Sequence, residues 1–449
     1  MLIKNVSELI GRTPLLEIDP AVHGLKNIRL YAKLEHLNPF GSIKDRSATG
    51  VLSEDFDAIV ESGKTVVESS SGNMAKALSI LCGMRKVPFR IVSSKIQVKE
   101  VKQVLQVLGA EIEELPALSA CPDPSDPNNP VAYIERMIAG APGKYHHTSQ
   151  FTNDLNRKAH FDSTGPEIAE DAGAIDYFFA GLGTTGSSRG AGEYLKTVNE
   201  ELRTIGIVAP RGQALPGIRS ADEMFEVGLF DRSFYADITE VSIDEAIDGM
   251  LTLARSLGVL GGPTSGANFA GALKYLRTLD SEATEGKELK AAFIVCDRME
   301  WYLSYLQKHR PELFGQSARK AARQAPDAKE LEEVEEVSAD QAEAWLKTGS
   351  DGRRPLIVDM RGGLAFKAGH IKGSVNISQD NLDEMAGWGS PFAEDFKVLL
   401  VCPTGDLSRV YAAMFKRQGA VVASLKGGFV AWRDRGNKIE RAKAARRKK

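Results

Sequence analysis

An α/β fold is predicted, with doubly wound sheets in a large first unit and a smaller α/β unit behind it, on three observations. Short apolar runs alternate with amphipathic helical text from residue 1 to about residue 315. A charged stretch poor in aromatics, QSARKAARQAPDAKELEEVEEV at 316–337, interrupts that alternation and reads as an interdomain linker, partly helical. The alternation then resumes over 338–437 on a smaller scale.

In order along the chain, RLYAKLE, TVVESS, FRIVSS, DYFFAGL, TIGIVA and AAFIVC are apolar enough to be strands. MAKALSILCGM and VKEVKQVLQVLG between them carry apolar residues at helical spacing. CPDPSDPNNP, ending at Pro130, is turn-rich and reads as a surface loop. In the second unit Ser338 and Gln341 have capping-box spacing ahead of AEAWLK, and PLIVDM and KVLLVC are strand-like. IERAKAARRKK closes the chain as a basic tail, read as a solvated end.

Composition narrows the function. At about 150 residues per domain, 449 residues suggest roughly three domains. With 57 Lys plus Arg against 60 Asp plus Glu, the charge balance argues against a dedicated nucleic-acid binder. No stretch approaches the roughly 18 apolar residues of a membrane span. MLIKNVSELIGRTPLLEI lacks the basic start and apolar core of a signal peptide, so a cytoplasmic location is expected. Cys82, Cys121, Cys296 and Cys402 are too scattered for a zinc knuckle and too few for a disulfide framework, and no metal site is expected.

Three segments carry the chemistry of the first unit. GLGTTG at Gly181 to Gly186 matches a dinucleotide fingerprint, but Pro210 and Arg211 stand where a ribose-binding acid belongs. What remains is a single-phosphate loop: small residues let backbone N–H groups approach, and Thr184, Thr185 and Ser187 add hydroxyls. SSSGN at Ser69 to Asn73 opens another helix with three hydroxyls and an amide, which suits a carboxylate or a ring oxygen. FGSIKDR places Lys44 near a helix start. A ligand-free turn or a solvated lysine would explain any one of these; their combination points to a site.

At this point the chain resembles the fold-type II pyridoxal-phosphate enzymes of the cysteine synthase and cystathionine β-synthase group, from about Val6 to Gly315. The resemblance rests on IGRTPL, KLEHLNPFGSIKDR, ESSSGN, SQFTN, TGPEI, GLGTTGS and GGPTSGAN. It implies a two-lobed enzyme binding pyridoxal 5'-phosphate. Lys44 would form the Schiff base with the cofactor, and Asn73 would contact the ring's 3-oxygen. Gly183, Thr184, Thr185, Gly186 and Ser187 would hold the phosphate, Ser265 would meet the pyridine nitrogen, and Ser70, Ser71 and Gln150 would bind the amino-acid carboxylate. By this resemblance an activated serine loses its leaving group to give an aminoacrylate, a nucleophile adds to the β-carbon, and Lys44 returns the proton. A homodimer is implied as well.

Two departures bear on the nucleophile: Met74 replaces the usual Thr, and NDLNRKAH at Asn153 to His160 is more similar to diaminopropionate-forming relatives. PGIRSADE, in contrast, is similar to the stretch that supplies a phosphate-binding arginine in O-phosphoserine-using enzymes, and puts Arg219 at that position. A guanidinium suits a dianionic leaving group.

The second unit resembles a rhodanese domain through IVDMRGGLAFKAGHIKGSVNI, VLLVCPTGDLSR and LKGGFVAWRDRG. Asp359, Arg361 and His370 would be framework residues, and Cys402 the nucleophile carrying sulfur as a persulfide. Independently of the resemblance, Cys402 follows an apolar strand and opens a loop before a helix, where N–H groups stabilise a thiolate. A phosphatase would want Arg at position 408, which is Ser. Leu407 stands where many active loops carry an arginine, so thiosulfate is a less certain donor. The other three cysteines sit in apolar or Pro-rich text and read as packing residues.

The leading expectation is β-replacement on O-phosphoserine or O-acetylserine, giving cysteine or a related sulfur amino acid, with sulfur supplied through Cys402. The alternative is a 2,3-diaminopropionate-type synthase with an amine nucleophile. A third reading makes the rhodanese unit a docking module for a partner such as a sulfur-carrier protein.

Overall fold

The computed structural model describes residues 2–441 except 95, 97, 116–128, 283–287, 315–325, 349–353, 388 and 394–395. Cys121, most of the turn-rich stretch before Pro130, residues 316–325 of the expected linker and the end of the basic tail lie outside the described residues. The chain forms two compact units, Met1–His309 and Arg310–Lys449. No helix among the described residues is long and apolar enough to cross a membrane.

Ten strands build the first unit: β1 (Leu15–Glu17), β2 (Ile28–Lys33), β3 (Thr65–Ser69), β4 (Phe89–Ser93), β5 (Glu111–Glu114), β6 (Tyr145–His147), β7 (Tyr177–Gly181), β8 (Arg203–Val208), β9 (Asp237–Glu240) and β10 (Leu289–Ile294). They form a six-stranded sheet in the order β1-β2-β10-β7-β8-β9 and a four-stranded sheet in the order β5-β4-β3-β6. All pairs are parallel except β1 with β2.

The central strands are apolar throughout because helices cover both faces of the sheet. On β7, Tyr177 and Phe179 enter one core cluster while Phe178 and Ala180 enter another, and β10 divides Ala291 and Phe293 from Ala292 and Ile294 in the same way. Helix packing is close. A Cβ on Gly190 would lie 2.1 Å from the Arg157 carbonyl, so only glycine lets the helix Gly186–Val198 meet the helix Asp154–Phe161.

Seven strands belong to the second unit: β11 (Glu335–Val337), β12 (Leu356–Asp359), β13 (His370–Ile371), β14 (Val375–Asn376), β15 (Val398–Val401), β16 (Val422–Leu425) and β17 (Ile439–Glu440). Five form a sheet in the order β11-β16-β15-β12-β14, and β13 pairs with β17. The far part of the expected linker carries regular structure. A helix at Ala328–Glu332 and β11 belong to the second unit, because Val334 and Val337 bury themselves while the glutamates between them stay exposed. The capping box is present: Ser338 N–H donates to Gln341 Oε1 at 2.9 Å, and Gln341 N–H to Ser338 Oγ at 3.3 Å.

Candidate active site

In the first unit the candidate residues gather at the carboxyl ends of β3, β6, β7 and β10, where open α/β sheets leave their crevice. Lys44 begins the helix Lys44–Leu52. Its position is fixed from behind: Ile43 N–H donates to the Cys296 carbonyl at 2.8 Å, and Ser42 forms a bridge with Asp297 just past β10. Burial lowers the proton affinity of the Lys44 amine, while Cys296 and Asp297 pull the other way. A lysine that gives up its proton readily is suited to nucleophilic and base chemistry.

The helix carrying Lys44 is anchored by a buried ion network. Arg46 makes paired hydrogen bonds to Glu35 at 2.7 and 2.8 Å and to Glu167 at 2.6 and 2.7 Å. Lys33, wholly buried, reaches Glu167 at 2.9 Å and the Thr13 carbonyl at 2.6 Å. Arg46 and Lys33 hold the Glu167 carboxyl down at about 2 despite its burial.

β3 ends in Ser69 and leads into the Ser70–Gly72 loop. Ser70 Oγ accepts from Ala75 N–H at 3.2 Å at the start of the helix Asn73–Met84, and Ser71 is exposed. Gln150 arrives from β6 and donates to the Ser69 carbonyl at 2.7 Å. One residue missed in the sequence joins these two loops. Glu68 is wholly buried and accepts from Ser69 N–H at 2.7 Å, Thr148 Oγ1 at 2.5 Å and Gln150 N–H at 3.0 Å.

After β7, Gly183 to Ser187 lead into the 13-residue helix Gly186–Val198, whose N-cap Thr185 is left-handed at φ 63°. No side chain caps this helix, which leaves its first N–H groups for an anion. A Cβ on Gly183 would lie 2.7 Å from the Gly217 carbonyl, so the glycine lets the 215–219 segment lie against the loop. Arg219 N–H accordingly donates to the Leu182 carbonyl at 2.9 Å. The Arg219 guanidinium lies 5.0 Å from the Phe151 ring, next to Gln150 in sequence, and donates to the Glu223 carbonyl at 3.4 Å. Asn156 ties the two loops together, donating to the Gln150 carbonyl at 2.9 Å and to Thr184 Oγ1 at 3.0 Å.

Ser265 is fully buried, and its hydroxyl accepts from Cys296 N–H at 2.9 Å. Asn73 donates through Nδ2 to Asp297 Oδ2 at 2.5 Å and to Tyr302 OH at 3.2 Å, while its Oδ1 is buried with no hydrogen-bond partner. An uncapped helix start for a phosphate, a desolvated lysine and an unpartnered buried amide oxygen together fit a phosphorylated aldehyde cofactor such as the resemblance implies. Met74, by contrast, is 2% exposed and packs in the core. Asn153 caps the helix Asp154–Phe161. Both departures from the family pattern thus have structural employment.

In the second unit Cys402 is 1% exposed. Its Sγ accepts from Gly405 N–H at 3.1 Å and from Ser408 Oγ at 3.3 Å, at the start of the helix Asp406–Arg417. Gly405 is left-handed at φ 98°, and a Cβ there would meet the Gly427 nitrogen at 2.8 Å. Arg361 binds Asp359 at 2.6 Å and stacks 3.6 Å from the Phe429 ring, and His370 stacks on Phe366. Arg409 donates to the Leu331 carbonyl at 3.0 Å, so it is employed elsewhere than at an anion in the loop. Cys82 is a core residue whose thiol burial pushes up to about 12. Cys296 packs against the core too, but it also lies beside Lys44, a neighbourhood its sequence does not show.

Comparison with known proteins follows the same division. A family model described as pyridoxal-phosphate dependent enzyme matches residues 6–297, and one described as rhodanese-like domain matches residues 338–435. Cysteine synthase B of Pseudomonas aeruginosa is 30% identical over 302 residues, covering 67% of this chain and 96% of that protein. A hydrogen sulfide-producing enzyme from Fusobacterium nucleatum aligns with TM-score 0.59 and 28% identity over 67% of this chain and 100% of its own. An O-acetylserine dependent cystathionine beta-synthase from Helicobacter pylori gives 0.57 and 27% over 68% of this chain and 98% of its own.

Proposed function

Because the chain belongs to the pyridoxal-phosphate dependent enzymes and carries a C-terminal rhodanese-like domain, we propose that it makes cysteine, or a close sulfur amino acid, by β-replacement on an activated serine. Sulfur reaches the first site by way of Cys402. The carrying observation is Lys44 at the start of the helix Lys44–Leu52, beside Cys296 and Asp297, with its proton affinity lowered by desolvation. Relatives named as cysteine synthases support the reaction class.

When bound, pyridoxal phosphate supplies the electron sink that lets an amino acid shed its α-proton. The uncapped start of the Gly186–Val198 helix, with Gly183 to Ser187, holds the phosphate. Ser70, Ser71 and Gln150 receive the substrate carboxylate. The Lys44 amine removes the α-proton and later returns one at the same carbon. Arg219 beside Phe151 and the phosphate-side loop supports the reading that it meets an anionic leaving group, such as the phosphate of O-phosphoserine. At the second site the Cys402 thiolate attacks a sulfane sulfur, taking it as a persulfide and releasing the donor's remainder. One thiol reductant then displaces that sulfur as sulfide and forms a mixed disulfide with Cys402, and a second thiol breaks this bond, restoring the Cys402 thiol and leaving as the reductant's disulfide.

The test is absorbance of the purified protein titrated with O-phosphoserine and O-acetylserine, followed by product analysis with sulfide. Spectral change and cysteine formation are expected with at least one ester, and Lys44→Ala should lose both along with borohydride-fixable cofactor. Absence of any spectral response to either ester would overturn the proposal.

A further inference from the structure

A buried tyrosine behind the phosphate-side loop has a hydroxyl that the reaction above does not use. Tyr235 follows the short turn Arg232–Phe234 ahead of β9 and is 3% exposed. Its ring packs in a cluster with Leu182, Val208, Met224 and Val227, stacked 5.8 Å from Phe230 and edge-on to Phe234 at 5.1 Å. A phenol in such apolar company needs a partner for its O–H. It finds one in Ser188, wholly buried in the first turn of the helix Gly186–Val198, with 2.6 Å between the two oxygens.

The direction of that bond follows from the next one. Ser188 Oγ also lies 3.1 Å from the Thr185 carbonyl, which can only accept. The single Ser188 hydroxyl proton therefore goes to Thr185, and Tyr235 donates to Ser188. Burial pushes the Tyr235 hydroxyl up, so it keeps the proton it donates. The same Thr185 carbonyl accepts from Arg189 N–H at 2.9 Å. Thr185 is left-handed, a conformation that a β-branched residue adopts only where its surroundings enforce it. Its own Oγ1 lies near the Tyr235 hydroxyl, yet it is buried with no hydrogen-bond partner.

On the reading that the loop 183–187 holds the cofactor phosphate, we propose that Tyr235 is a positioning residue for that phosphate: through Ser188 it pins Thr185, so that the Thr185 hydroxyl is left to donate to a phosphate oxygen. The effect is confined to the phosphate end of the cofactor. The aldehyde end belongs to Lys44, on another helix.

Affinity for the cofactor with and without its phosphate gives a readout independent of turnover. Full-length protein, freed of cofactor with hydroxylamine, is titrated with pyridoxal phosphate and with pyridoxal, and binding is followed by absorbance. Tyr235→Phe keeps the ring and removes the hydroxyl. It should raise the Kd for pyridoxal phosphate roughly 3- to 10-fold and leave that for pyridoxal as in wild type. Ser188→Ala should do the same, and stands in if Tyr235→Phe does not fold. The double variant should lose no more than the larger single loss, because both substitutions cut one chain of bonds. Equal weakening of the two ligands, no weakening of either, or losses that multiply in the double variant would overturn the positioning role alone. Wild-type protein that binds pyridoxal phosphate no more tightly than pyridoxal would overturn the phosphate reading of the loop and this role with it.

Discussion

Glu68 shows how one side chain organises a site it need not touch. Its carboxylate collects Ser69 N–H, Thr148 Oγ1 and Gln150 N–H, so the loops proposed to receive the substrate carboxylate share one buried anchor. Charge-assisted bonds of this kind contribute about 1.5–3 kcal/mol each. Glu68→Ala should therefore raise KM for the amino-acid substrate roughly 10- to 100-fold while the cofactor spectrum stays as in wild type. Steady-state kinetics beside absorbance checks it, and an unchanged KM would remove Glu68 from any positioning role. Lys44, the Ser70 loop, the Gly183 loop and Cys402 were legible in the sequence because motif spacing encodes a loop at a helix start. Glu68, Asp297 and Tyr302 were not. Each is a lone polar residue whose meaning depends on partners up to 229 positions away, as Asn73 and Tyr302 are.

At the scale of elements, the helix Lys44–Leu52 depends on an acid that titrates. Glu167 is held at about 2, below the 4.5 of a free glutamate. A depressed carboxyl pKa contributes stability that is complete above 4.5 and lost as pH falls through about 2. The contribution is at most roughly 3 kcal/mol near neutrality. Thermal unfolding of Glu167→Gln should lie below wild type at pH 7, and the gap should close as the solution is acidified toward the lower value. A gap of constant size would show that the charge of Glu167 is not what matters. Among strands, legibility followed burial. VVES, FFAG and AFIV were readable because both faces of their sheet are covered, whereas EIEE at β5 and DITE at β9 are polar edge strands without a continuous apolar run. VASL at β16 is buried along its whole length but offers only four residues, with Ala and Ser among them.

For the whole molecule, the proposed relay would make the sulfur donor a local reagent, because the two units are joined in one chain. A tether raises effective concentration without any new contact. The expected signature is a split. Cys402→Ser should leave cysteine formation from free sulfide near the wild-type rate and abolish it from a sulfane donor supplied with a thiol reductant. Equal loss with both sulfur sources would mean that the substitution damages the first unit and would end the relay reading.

The backbone of the first unit is left-handed at only four described non-glycine residues, Arg12, Lys86, Ser149 and Thr185. Two of the four stand at the candidate site, Ser149 next to Gln150 and Thr185 at the head of the phosphate-side helix. Such conformations cost about 1–3 kcal/mol each and persist only where their surroundings overdetermine them. The consequence is one of timing. Shaping these loops is completed while the chain folds, so an arriving anion meets amides already in place and spends little of its binding energy on arranging them.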